Sequence, residues 1–347
     1  MKPFSGKTAG RKTVPSGKTA GSESSPAEHI RKNYKMAFSL ILLNKLTSMM
    51  IMAVVGYALV KLRALKQEDS RVLSVLLIRV LQPCLILRAF QIELTPDRMQ
   101  GFIFATAAST ISMLISIAFA KAMEKPLGFD PVDRASLTYA NVGNLILPLI
   151  SMSLGEEMVF YGSAFQIPFN LLIWTHCYSM LTGGQSLKLK KMVTNPSLIA
   201  LCVGLFLLVT QIRLPSLIDD AAKGFHDMVA ASSMMLIGMI IAGSDLKSVF
   251  TYKKAYIVSF FRLIVLPVIC LLLLYVSGYV QRNPDMRPVA LIIAIGAAAP
   301  CAATIVQMVV VSGKDAMKAS VYNVMSTILC VVTIPLMMLL FQILFPE

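Results

Sequence analysis

Two amides, a glycine and a proline stand together at Asn141, Gly143, Asn144 and Pro148, inside a segment that is otherwise almost wholly apolar. Residues of these types do not attack bonds; they bind. An asparagine amide offers two donors and one acceptor oxygen, so it can hold a carboxylate while carrying no charge. Glycine and proline interrupt a helix, and in hydrocarbon an interruption persists only where protein or a watery cavity satisfies the freed backbone groups. A second interruption is written at Gly296 to Ala303, with Ala299 and Pro300 at its centre.

Other polar side chains fall in apolar surroundings, and each is expensive there unless it faces a cavity or a neighbouring helix. Gln166, Asn170, Gln307 and Asn323 form one tier, for which helix-to-helix hydrogen bonds are the alternative to solute contact. Lys45, Arg79 and Arg262 lie roughly 10 to 12 Å from the nearest end of their segments at about 1.5 Å per residue. Cations at that depth fit an anionic solute, and arginine can grip a carboxylate through two parallel hydrogen bonds. Snorkelling, or pairing with the carbonyls of a broken helix, is the competing role. His176 is the one intramembrane side chain whose reference pKa is near neutral, and it reads either as a proton relay or as a packed histidine. Asn141 and Asn144 act as ligand contacts or as caps of the break.

The elements that must position these residues are membrane helices. Hydrophobic residues make up 56% of the chain, charged ones only 14%, and the mean hydropathy is +0.72, with the apolar residues gathered into blocks of spanning length. The blocks run over 37–60, 71–91, 99–121, 134–154, 158–181, 196–212, 224–244, 255–279, 288–311 and 317–345, which predicts an all-α polytopic protein of ten transmembrane helices. One transmembrane domain, 36–347, leaves no room for a soluble one. The six cysteines all fall within these blocks without metal-ligand spacing, so neither disulfides nor a metal site are expected, and no cofactor is called for.

Residues 1–35 differ in kind, being rich in Gly, Ser, Thr and Lys, and read as a disordered basic extension, with Met36 a second candidate start. Their two Gly-Lys-Thr triplets lack the glycine five residues upstream that a phosphate loop needs. Neither HExxH, GxSxG nor a carboxylate pair at depth is present, so an enzyme is not expected.

Loops after odd-numbered blocks hold fifteen bases against seven acids, whereas those after even-numbered blocks hold six bases against nine acids. The positive-inside rule makes the odd loops cytoplasmic and puts both termini outside, in a plasma or bacterial inner membrane. The extension, with eight bases and two acids, then lies on the unfavoured side. The overall charge of +14 is accounted for by topology, and nucleic acid is not an expected partner; lipid is.

Ten blocks divide into halves of five, about 37–181 and 196–345, and the fourth block of each half carries a mid-segment proline. Five is odd, so the halves run with opposite topology, the shape of an inverted-repeat transporter whose broken helices meet near the midplane. Here the chain resembles a family, the auxin efflux carriers and their bacterial malate or malonate permease relatives. The likeness covers about 37–345. It rests on Asn141-x-Gly-Asn-Leu-x-x-Pro148, Leu154-Gly-Glu-Glu157, Trp174-Thr-His176, Arg262-Leu-Ile-Val-Leu-Pro267, Pro300 and Ser326-Thr327 followed by Thr333-Ile-Pro335. The resemblance implies two inverted five-helix repeats, broken helices four and nine crossing at Pro148 and Pro300, and elevator-like transport of a small organic anion, with efflux the favoured direction. It places Asn141 near the substrate carboxylate and allows a homodimer. Ile146 stands where many relatives have glycine, and the long cytoplasmic loop of many plant members is missing, which points away from auxin. Uniport leads the expected mechanisms, ahead of proton symport and sodium coupling. An anion channel and a transporter-like sensor are the alternatives to a carrier.

Overall fold

A long apolar segment must satisfy its backbone groups internally, and a helix does so without help from neighbours. The computed structural model describes residues 26–184, 194–314 and 316–346, and among them it is helical, with no strand. The principal helices are α1 (Pro26–Lys61), α2 (Gln67–Ala89), α3 (Pro96–Ala122), α4 (Pro131–Thr138), α5 (Val142–Leu154), α6 (Glu156–Ser163) and α7 (166–182), then α8 (Pro196–Thr210), α9 (Ser216–Gly243), α10 (Lys253–Val276), α11 (Arg287–Ala297), α12 (Ala303–Val311) and α13 (Met317–Leu344). All ten blocks fall on helix, the fourth as α4 and α5 and the ninth as α11 and α12. Six helices are long and apolar enough to cross a membrane among the described residues: α1 over Ile41–Lys61, α2, α3, α9, α10 and α13. Helix α1 begins at Pro26, ahead of the block at 37–60, so it takes in the end of the segment read as a disordered extension; residues 1–25 lie outside the described residues.

Sequence chemistry sets several helix starts. Thr95 accepts from the Arg98 N–H ahead of α3, Asp130 accepts from Val132 and Asp133 ahead of α4, and Asn195 accepts from Ser197 and Leu198 ahead of α8. Each is followed by proline at the first helical position, where its missing N–H costs nothing.

Inside the long helices, proline is absorbed differently. Widened π turns at Leu77–Leu81, Val142–Ile146 and Phe261–Val265 each end two residues before a proline, Pro83, Pro148 and Pro267. A proline ring presses on the carbonyl four residues back, and a π turn makes room for it.

The helices pack in two sets joined by α1, which lies against α13 as well as α9. Helix α9 packs along α1, and α2 packs against α8 and α9. In the other group α3 packs on α4 and α11, and α13 on α10 and α12. The α1–α9 contact is backbone on backbone: a methyl at Gly56 would strike the Met235 carbonyl, and one at Gly238 the Ala53 carbonyl. Small residues at such contacts let membrane helices approach closely.

Ionic networks tie down both ends of the bundle, and two of their members depart from expectation. Asp133, counted with the loop acids by sequence, is fully buried at the start of α4. Its carboxylate accepts from the Tyr322 hydroxyl at 2.6 Å, from Lys254 at 3.1 Å and from the Asp130 N–H at 3.0 Å. His226, which the reading of His176 as the one near-neutral intramembrane side chain leaves out, is buried in α9, with Nδ1 3.0 Å from Asp227 and Nε2 3.3 Å from Ser151 of α5. Arg88 reaches Glu156 at 3.3 Å beside it, joining α2 to α6.

Candidate functional site

Helix α4 stops because Tyr139 adopts an extended conformation, and Pro300, which has no N–H, lies in the gap that follows α11. The two unwound stretches satisfy each other. Asn141 N–H donates to the Pro300 carbonyl and Ala302 N–H to the Tyr139 carbonyl, each at 2.8 Å, forming an antiparallel bridge between Ala140 and Cys301. From α13, Asn323 donates to the Cys301 carbonyl at 2.7 Å and Ser326 accepts from the Cys301 N–H at 3.0 Å. The second break thus falls on Ala299 and Pro300 as expected. The first does not fall at Pro148: the chain leaves helix at Tyr139 to Asn141, and Pro148 is buried within α5, accommodated by the π turn ahead of it.

This crossing sorts four helix ends by sign. The C-termini of α4 and α11 converge on Arg262, whose guanidinium is buried at 3% exposure. Its Nε donates to the Ala299 carbonyl at 2.8 Å and its Nη2 to the Ala297 carbonyl at 3.0 Å, with Nη1 3.5 Å from the Leu137 carbonyl. The N-termini of α5 and α12 instead border a cavity of about 140 Å³. Each helix N-terminus carries roughly half a positive charge, so this face is the positive side of the crossing.

Amides dominate the cavity wall: Gln82, Asn141, Asn144, Gln166, Asn170, Asn195 and Gln307 line it, with Trp174, Thr304 and Ser197, and none of its lining residues is charged. Most of these amides hold one another or the backbone. Gln82 donates to Asn144 at 2.5 Å, Asn170 to the Gln166 carbonyl at 2.8 Å, and Gln307 to Ser74 at 3.0 Å. Gly143 allows the amides to close in, since a methyl there would sit 3.0 Å from the Gln166 amide nitrogen and 3.2 Å from that of Gln82. Asn141 is the exception. Its side-chain nitrogen is buried and has no hydrogen-bond partner among the described residues. A buried, unmatched donor costs on the order of 1–3 kcal/mol.

The remaining predicted residues divide. Asn141, Gly143, Asn144, Gln166 and Asn170 come together at the cavity, whereas Arg262, Asn323, Ala299 and Pro300 build the crossing behind it. Arg79 is exposed and Lys45 half-exposed, so the expected cationic lining is not what this cavity presents. His176 lies 3.1 Å from the Tyr139 hydroxyl. That hydroxyl donates to the Leu172 carbonyl at 2.8 Å, so His176 Nδ1 must carry the proton and donate, bracing α7 against the break. Gln82 escaped sequence reading; an amide directly before a proline in an apolar block was the available signal.

A family model described as membrane transport protein matches residues 41–338, nearly the whole helical domain. The chain belongs to that family. Membrane transport proteins of this kind, the auxin efflux carriers among them, are transporters and not enzymes. Among curated proteins none matches this one. The match makes this membrane transport protein a multi-pass transporter, and it covers both breaks and every amide of the cavity.

Proposed function

We propose that this transporter is a secondary carrier of small organic anions, mono- or dicarboxylates such as malate or malonate, working by elevator-like alternating access. The observation that carries the reading is the buried, unpartnered Asn141 amide, set between two helix N-termini in a cavity of neutral donors. A carboxylate offers the acceptor that this amide lacks, and the two helix ends supply positive potential. Neutral donors bind an anion without the depth of an ion pair, which suits a site that must also release.

In this reading ten helices cross the membrane as two inverted repeats, α1–α7 and α8–α13, and α4/α5 and α11/α12 are the broken fourth helix of each. The group containing the crossing moves against α1, α2, α8 and α9, carrying the site across. Gln82 on α2 and Gln307 on α12 lie at that boundary, where the Gln82–Asn144 and Gln307–Ser74 bonds must break and re-form. With the odd loops cytoplasmic, an inside-negative potential drives anion export by about 2.3 kcal/mol per charge per 100 mV.

Counterflow of labelled malate, malonate and indole-3-acetate in proteoliposomes tests the proposal. Saturable counterflow of one anion, lost in Asn141→Ala at matched reconstitution, is expected. Flux without saturation or counterflow would make the protein a channel, and binding without flux a sensor.

A further inference from the structure

A carrier built on crossed half-helices collects unwound carbonyls and helix C-termini on one face of the crossing, and such groups suit a coupling cation. In this protein that face is filled by a side chain. Arg262 projects from the π turn of α10 and contacts carbonyls from both arms of the crossing, Leu137 on α4 and Ala297 and Ala299 at the end of α11. The acceptors it bonds among the described residues are main-chain oxygens. Two helix C-termini bring roughly half a negative charge each, about −1 together, and one guanidinium offsets them. The neighbouring cavity, lined by Ser109, Ser112, Ser116 and Thr138, has about 20 Å³, the room of a single water.

We infer that Arg262 is a tethered cation standing in for a coupling ion, so that the site opposite is formed, and its solute bound, without sodium. This rests on the carrier reading above, with Arg262 a positioning residue that acts through the breaks. Arginine suits the task better than lysine because its planar fork reaches several carbonyls at once and keeps its charge when buried.

The test begins with thermal stability of the purified full-length protein, which needs no knowledge of the solute. The wild type melts at the same temperature, within about 1 °C, in sodium chloride and in choline chloride of equal ionic strength. Arg262→Ala melts roughly 5 °C lower or more, and millimolar guanidinium restores part of the loss in the variant while leaving the wild type unmoved. Arg262→Lys falls between the two. Specific stabilisation of the wild type by sodium would overturn the inference, as would an Arg262→Ala protein that melts like the wild type or that guanidinium does not rescue. Should Arg262→Ala not fold, the wild-type comparison still decides, since a sodium effect refutes and its absence supports. A second arm measures wild-type counterflow in sodium and in choline. Equal rates support the inference and a sodium requirement refutes it, whereas no counterflow in either salt strikes the carrier reading and leaves the stability result to judge Arg262.

Discussion

The two faces of the crossing take two helix ends each, yet one is closed and the other open. On the carbonyl face every negative end meets Arg262, and only a water-sized space remains beside it. On the amide face the positive ends meet neutral side chains, and the Asn141 nitrogen has no partner among the described residues, next to a cavity about seven times larger, 140 Å³ against 20 Å³. A fold that must bind something transient separates the groups that hold it together from the groups that wait. Substitutions on the closed face should therefore cost stability, and those on the open face should cost transport.

The largest effect is expected from Arg262→Met, which leaves buried carbonyls unsatisfied and should cost about 3 kcal/mol or more, read as loss of folded protein in a thermal-shift assay. Asn141→Ala should do the opposite, lowering counterflow at least tenfold, or about 1.4 kcal/mol of transition-state or binding energy, while moving stability by under about 1 kcal/mol. A stability loss as large as that of Arg262→Met would erase the distinction between the faces. Gly143→Ala, which pushes the Gln82 and Gln166 amides by a few tenths of an ångström, should raise the half-saturation concentration about three- to tenfold with the maximal rate less affected. Asn323→Ala, on the closed face, removes one hydrogen bond to the Cys301 carbonyl and should cost about 1 kcal/mol of stability with solute affinity unchanged.

The smallest expected effect lies away from the crossing, at Asp130. Burial opposes ionisation of this carboxyl, but the Lys318 ammonium at 2.7 Å and the backbone N–H groups of Asp133 and Val132 outweigh it and hold its pKa below the ordinary 3.8. A depressed folded value means the contribution is full above the unfolded value and is lost as pH falls through the folded one. Melting temperature should therefore drop as pH is lowered below about 4, and Asp130→Asn should flatten that part of the profile. An unchanged profile in the variant would remove Asp130 from the account.

Much of this was legible in the sequence because breakers in hydrocarbon have few explanations. Asn141, Gly143 and Asn144 announced the amide face, and Pro300 the second break. The first break was misplaced because proline is a sufficient cause of interruption but not a necessary one: Tyr139 to Asn141 unwind to pair with the opposite arm, a long-range bond that local composition does not encode. Arg262 was visible as a buried charge, yet its choice of carbonyls over solute depends on where two distant helices end. Asp133 looked like a loop acid since its partners, Lys254 and Tyr322, lie more than a hundred residues away.

The widened turns ahead of Pro83, Pro148 and Pro267 have an implication for how these helices tolerate change. Each acts as a one-residue insertion absorbed in place, so the faces on either side keep their orientation while the count along the chain runs one ahead. In α2 the surplus residue and Pro83 form a matched pair. Deleting Val80 alone would leave the ring pressing on a regular turn, and replacing Pro83 alone would leave a bulge with no occupant. Making both changes should restore an unbroken helix, with Gln82 still facing Asn144.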